Sequence, residues 1–210
     1  STTITIGWKG VRTTIVHQLL QVANVDLIAD KLEEIGFALS YKYDYDVLAE
    51  IVKAGTKDDV TYGDNSNYKY MGTTTTVSYA GLTEAFKIHQ DLHAKPTTMF
   101  VNPTGWYNMV NETDIKAAIK WAMGPQGEIP TVQKLWGTTD LIVNSMVPAN
   151  KMILTDQRLG YIVDGGPIQT WDGRIDTKVA FEILGVKCYG VGICRPDATC
   201  VIHENADAPS

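Results

Sequence analysis

His89 and His93 stand four residues apart. On a helix that spacing would turn both imidazoles to one face, where they could share a metal ion. A zinc hydrolase of the H-E-x-x-H kind needs glutamate at position 90, and Gln90 stands there. No third ligand is evident, so the pair reads more simply as two helix-surface or half-buried histidines. Cys188, Cys194 and Cys200 are six residues apart, with His203 three beyond the last. Zinc sites use cysteine pairs separated by about two to four residues, so this spacing does not fit one. On a strand, even spacing puts residues on one face, and a packed core face is the expectation. Asp44, Asp46 and Glu50 could supply paired carboxylates, but they fall on a long helical pattern where acids form the solvated face. Gly165-Gly166-Pro167 and Asp172-Gly173 read as turns, and neither opens a helix that could cradle a phosphate. There is no G-x-S-x-G, no Walker motif and no dinucleotide fingerprint. The residues therefore nominate no catalytic, cofactor-binding or metal site, and a metal-dependent hydrolase built on His89 and His93 is the remote alternative.

The elements that would have to position such groups are set by a chain of 210 residues, enough for one large domain or two small ones. Hydrophobic residues make up 44% and charged residues 20%, which suits a packed core rather than disorder. The 18 basic residues are scattered among 24 acidic ones, for a net charge of −6. Neutralising phosphates needs clustered lysine and arginine, so specific nucleic-acid binding is disfavoured. Trp8, Trp106, Trp121, Trp136 and Trp171 are spread along the chain, as core or interface anchors are, and do not make a stacking platform for bases. An odd number of cysteines, all near one end, argues against a secreted disulfide framework. No apolar run approaches the ~18 residues of a membrane span. The first residues lack the pattern of a signal peptide, so synthesis in a cytoplasm is expected.

Periodicity predicts a short strand over Thr2–Ile6, a turn at Gly7–Gly10, and a helical stretch from Val11 carrying Ile15, Leu19, Leu20 and Ala23. A long helix follows over Val25–Val52, with Ile28, Leu32, Ile35, Leu39 and Tyr43 along one stripe. At 1.5 Å per residue it would be roughly 40 Å long, a spine along which something lies. Lys53–Tyr70 is polar and reads as a connection. Helices are expected over Ser78–His93, Trp106–Val110 and Thr113–Met123, with a short strand at Thr98–Val101. Thereafter the chain is β-rich: Asp140–Asn144, Met152–Thr155, Tyr161–Val163, Ile168–Trp171, Lys178–Val186 and Cys194–His203. Helices first and strands later argue for an α+β fold.

This order resembles the major capsid proteins of Hong Kong 97-type phages, whose fold encapsulins share. Four matches carry the resemblance. The spine helix follows an incoming strand and turn. Phe100-Val101-Asn102-Pro103-Thr104-Gly105-Trp106 is similar to the family's apolar–N-P-x-x-W element. Leu135-Trp136-Gly137, then Ser145-Met146-Val147-Pro148-Ala149 and Lys151-Met152-Ile153-Leu154, are similar to its L-x-G-x-P-V and G-D stretch. Gly192-Ile193-Cys194-Arg195-Pro196-Asp197-Ala198 is similar to its closing R-P-x-A strand. Thr139 stands where the family has proline, and Thr155-Asp156 where it has glycine-aspartate.

What the resemblance implies is a structural subunit of an icosahedral viral shell and not an enzyme. The fold would have a spine helix, a peripheral β-arm, and an axial sheet flanked by helices. The peripheral domain would span residues 1–75 and 171–188, and the axial domain 76–170 and 189–210. Subunits would associate with themselves as hexamers and pentamers around packaged DNA, with scaffold or portal proteins as possible partners, no membrane, and the virion as location. An encapsulin-like compartment shell is the alternative. The family's N-terminal arm and extended loop would precede Ser1, so a truncated subunit is expected. No crosslinking residue and no cofactor is carried over.

Overall fold

Why the first strand forms is a matter of side-chain alternation. Val11, Thr13 and Ile15 point one way and Arg12, Thr14 and Val16 the other, and four β-branched residues in a row, Thr13–Val16, favour extended backbone. In the computed structural model these residues form β1 (Gly7–Val16), paired antiparallel along its whole length with a long later strand. The turn expected at Gly7–Gly10 and the helix expected from Val11 are therefore both corrected: a ten-residue pairing outweighs a helical reading of Val11 and Ile15. Residues 4–6 are not strand, in contrast to the expected Thr2–Ile6. The structure describes residues 4–16, 26–54, 68–70, 78–115, 134–135, 139–149, 151–175 and 180–203. Leu19, Leu20, Ala23, Trp121, Trp136 and most of the expected Thr113–Met123 helix lie outside them.

The remaining elements are α1 (Leu27–Ala54), β2 (Tyr68–Tyr70), α2 (Tyr79–Asp91), β3 (Thr98–Val101), α3 (Pro103–Asn111), β4 (Lys134–Leu135), β5 (Thr139–Val143), β6 (Lys151–Thr155), β7 (Gly160–Asp164), β8 (Gln169–Ile175), β9 (Ala180–Ile193) and β10 (Thr199–His203). The chain divides into two compact units, Ser1–Val47 with Tyr161–Gly192, and Leu48–Gly160 with Ile193–Ser210. The first division between the units falls inside α1, between Val47 and Leu48.

In the first unit β1, β9 and β7 lie side by side, and β8 also pairs with β9. Asp172 and Gly173 sit within β8 opposite Ile183 and Glu182, so they form paired strand and not the expected turn. The turn before β8 is the one at Gly165–Pro167, where Gly166 takes φ 123° and its N–H donates to Asp164 Oδ1 at 3.1 Å. α1 starts where Asp26 Oδ1 accepts the Ala29 N–H at 3.2 Å. Its stripe buries Ile35 and Leu39 with Ile15 and Ile183, flanked by Val11, Leu27, Ile28 and Phe181. The seat for this stripe is Gly185 on β9: a Cβ there would collide with the Ile35 side chain.

In the second unit six strands run in the order β2-β10-β6-β3-β5-β4. Leu82 and Ala85 of α2, Met109 of α3, and Met99, Val101, Leu141, Met152, Leu154, Cys200 and Ile202 of the sheet make its core, with Trp106 packed against it. Asn102 holds two pieces together: its Oδ1 accepts the Thr104 N–H at 3.0 Å, capping α3, and its Nδ2 donates to the Val147 carbonyl at 2.7 Å. Pro103 then occupies the first helical position, where its missing N–H costs nothing.

Two glycines on one packing layer should respond oppositely. Gly185→Ala forces Ile35 to move and is expected to cost about 1–3 kcal/mol. Gly36→Ala adds a methyl into open space in mid-helix and should stabilise by about 0.5–1 kcal/mol. Urea unfolding of the two variants measures both.

Candidate functional site

The two histidines do not meet. α2 ends at Asp91 with Leu92 as its cap, and His93 lies beyond it with φ 58°, so the helical spacing that would pair it with His89 is broken. His89 is fully buried, which corrects the expectation of a surface or half-buried residue. Among the described residues its two ring nitrogens have no hydrogen-bond partner. Burial pushes its pKa down to about 4, and the nearby charges of Asp156 and Asp197 act in the opposite sense without offsetting it. The three cysteines do not share a strand face either. Cys188 is on β9, Cys194 is just past its end, and Cys200 is on β10, after a 3-10 turn at Pro196–Ala198. Only Cys200 is buried. Among the described residues no three His, Cys, Asp or Glu side chains are grouped to hold a metal.

The densest polar centre is one the sequence reading passed over. Asp156 is 5% exposed. Its carboxylate accepts the Lys95 N–H at 2.8 Å and the Arg158 N–H at 3.0 Å, and it pairs with the Arg158 guanidinium at 2.7 Å. Arg158 also donates to the His93 carbonyl at 3.2 Å. The guanidinium bond, and after it the two N–H groups, hold the carboxyl well below the ordinary range despite burial. The centre thus ties the exit of α2 to the turn after β6. It is a clamp rather than an acid–base device, since a carboxylate so stabilised is a poor proton carrier. The sequence signal was an aspartate two residues before an arginine in a turn, which is weak on its own.

Asp46 sits at the other polar centre. Tyr189 donates to its Oδ2 at 2.8 Å, Lys42 to its Oδ1 at 2.7 Å, and Lys9 lies 3.8 Å away. Burial raises this carboxyl, but the bonds from Lys42 and Tyr189 more than offset it, and the net effect is a lowered pKa. Burial first, and then the bond to Asp46, push the Tyr189 phenol up. Asp44 and Glu50 remain exposed. The three carboxylates named by the sequence are therefore not brought together.

What the surface offers is apolar area. Trp8 pairs with Cys188 and Trp171 with Leu184 across β9, and residues directly opposite in an antiparallel ladder share a face. Leu184 and Cys188 point away from the face on which Gly185 seats α1. Trp8 and Trp171 are 64% and 50% exposed on this other side of the sheet.

His89 and Asp156 give acid sensitivity in two windows. His89 carries a pKa below its unfolded value, so the unfolded chain binds the extra proton. Stability should fall by about 2–3 kcal/mol as pH drops from about 6.5 to about 4. Asp156, also depressed, contributes above its unfolded pKa, and that contribution is lost as pH falls further. Urea midpoints against pH should show both, and His89→Leu should remove the first window alone.

No relative among curated protein sequences matches the chain. The fold is similar to the capsid of the cyanophage P-SCSP1u, at TM-score 0.71 and 15% identity over 95% of this chain and 73% of that one. It is similar to the capsid of an empty GTA particle, at TM-score 0.76 and 12% identity over 97% and 74%. It is also similar to an encapsulin complex from Synechococcus elongatus PCC 7942, at TM-score 0.66 and 13% identity over 98% and 76%. The Hong Kong 97-type fold, with its mixture of helix and sheet, is therefore the architecture of this chain. Residues 1–202 match the family model described as phage capsid protein, and the chain belongs to that family.

Proposed function

We propose that this major capsid protein builds a tailed-phage shell from hexamers and pentamers of itself, enclosing packaged DNA without gripping it. The observation that carries the reading is the family match over residues 1–202. Each of the two units packs around an apolar core of its own, which supports the reading of a structural subunit. The unit with α1 and the four-stranded sheet would be the peripheral domain, and the unit with the six-stranded sheet the axial one. Synthesis in the host cytoplasm, help from scaffold and portal proteins, and the absence of enzymatic activity belong to the same proposal. The encapsulin in the comparison shares the fold alone, and the family match favours the phage reading.

Shell formation asks each subunit for many weak contacts repeated by symmetry. Exposed tryptophans are the residues that such contacts use best, because they bury large area at little entropic loss. A net charge of −6 also suits a wall lying next to packaged DNA.

Light scattering and negative-stain microscopy of the purified chain test the reading. Rings or shells are expected. Trp8→Ser combined with Trp171→Ser should leave the circular dichroism unchanged and lower the assembled fraction about tenfold or more. A monomer at all concentrations would overturn it.

A further inference from the structure

α1 has two unlike faces. Ile35 and Leu39, each 2% exposed, lie on the buried one. Phe37, Tyr41 and Tyr45 follow one another at four-residue steps on the other side. Phe37 is 73% exposed and the two tyrosines 48% each. The Phe37 and Tyr41 rings lie 6.5 Å apart between centroids, so these two make one aromatic surface, with Tyr45 one turn further on. A soluble helix gains nothing from three such rings in water, and contiguous patches of this sort mark places where something docks.

We propose that this row is a docking surface for a cationic segment of another protein. Charge selects the occupant. Asp30, Glu33 and Asp44 are exposed on the aromatic side, and among the described residues their side chains have no hydrogen bond or ion pair. The lysines along the row are already engaged: Lys31 with Glu34 at 2.6 Å and Lys42 with Asp46 at 2.7 Å. The surface therefore carries surplus negative charge beside π-faces. The rings also take cations within the chain itself, for the Lys42 ammonium sits 5.1 Å from the Tyr45 centroid. A guanidinium would lie flat on Phe37 or Tyr41 while its N–H groups reach an unpartnered carboxylate, a combination that lysine matches less well.

A second copy of this chain fits poorly. It has no basic run and a net charge of −6, so it would set carboxylates against carboxylates. Nucleic acid is rejected by the same sign. The proposal goes beyond the shell reading and is read independently of it, because it concerns a different face from Trp8 and Trp171.

The experiment titrates a labelled arginine-rich peptide onto the purified chain, with a glutamate-rich peptide of equal length as control. Binding of the arginine peptide alone is expected. Phe37→Ser with Tyr41→Ser should weaken it about tenfold or more, with circular dichroism and solution mass unchanged. Asp30→Asn, Glu33→Gln and Asp44→Asn together should weaken it more than the equal charge change Asp91→Asn, Asp114→Asn and Asp172→Asn. The proposal is overturned if the arginine peptide does not bind, if the aromatic variant binds as the wild type does, or if the two charge sets weaken binding equally. It is overturned too if the aromatic variant loses assembled mass, since a neighbouring copy would then be the occupant.

Discussion

The first unit depends on one close approach, that of Ile35 and Leu39 to the backbone of β9 at Gly185. β9 is fourteen residues long and pairs with β1 on one side and with β7 and β8 on the other. Its hydrogen bonds alone would leave a ribbon with two wet faces, and such ribbons are marginal. Packing α1 onto one face supplies the apolar burial that makes the sheet a domain. Only glycine lets a helix come that near, because any Cβ would take the volume that Ile35 fills. Tyr189, four residues on and on the same face, anchors the next turns of the helix through Asp46. Packing and a half-buried hydrogen-bond centre thus reinforce one another along a single strand.

The second unit solves a different problem. Its sheet is central and its strands are short, so the chain must turn often at buried positions. Three of its described connections are closed by a side chain that satisfies backbone groups: Asn102 at the start of α3, Asp156 after β6, and Thr139 donating to the Pro96 carbonyl at 3.0 Å. These polar residues do the work of connection, which is why the most perturbed carboxylate in the unit is structural. His89 is the exception, a fully buried imidazole with no described partner. Its cost is tolerable near neutral pH, where the ring is uncharged, and grows with acid.

Much of this was legible in the sequence. The spine helix was visible because its stripe keeps one phase from Ile28 to Tyr43. The α3 element was visible in part: a helix was expected over Trp106–Val110, and it starts earlier, at Pro103, because Asn102 caps it. The class of fold followed from the order of helices and strands. β1 was misread because Val11 and Ile15 satisfy both periods, and only the partner strand, some 170 residues away, decides between them. His93 was misjudged for a related reason: nothing local announces that α2 stops at Asp91, since the stop is set by His93 adopting a left-handed backbone held by Arg158. Asp156 was visible only as part of a family pattern, because its structural role lies in three donors that arrive from Lys95 and Arg158 only in the folded chain. The aromatic row was in plain view as a second phase on α1, at Phe37, Tyr41 and Tyr45, yet a reading that seeks the buried stripe passes over it.

Hydrogen exchange in low urea tests most directly whether α1 and β9 are one cooperative structure. The account predicts that amides of α1 up to Val47 and of β9 around Gly185 share a single opening free energy, higher than that of the β8 edge. Amides of α1 that open separately, while β9 stays protected, would contradict it: the helix would then be an accessory to the sheet and not the burial on which the sheet depends.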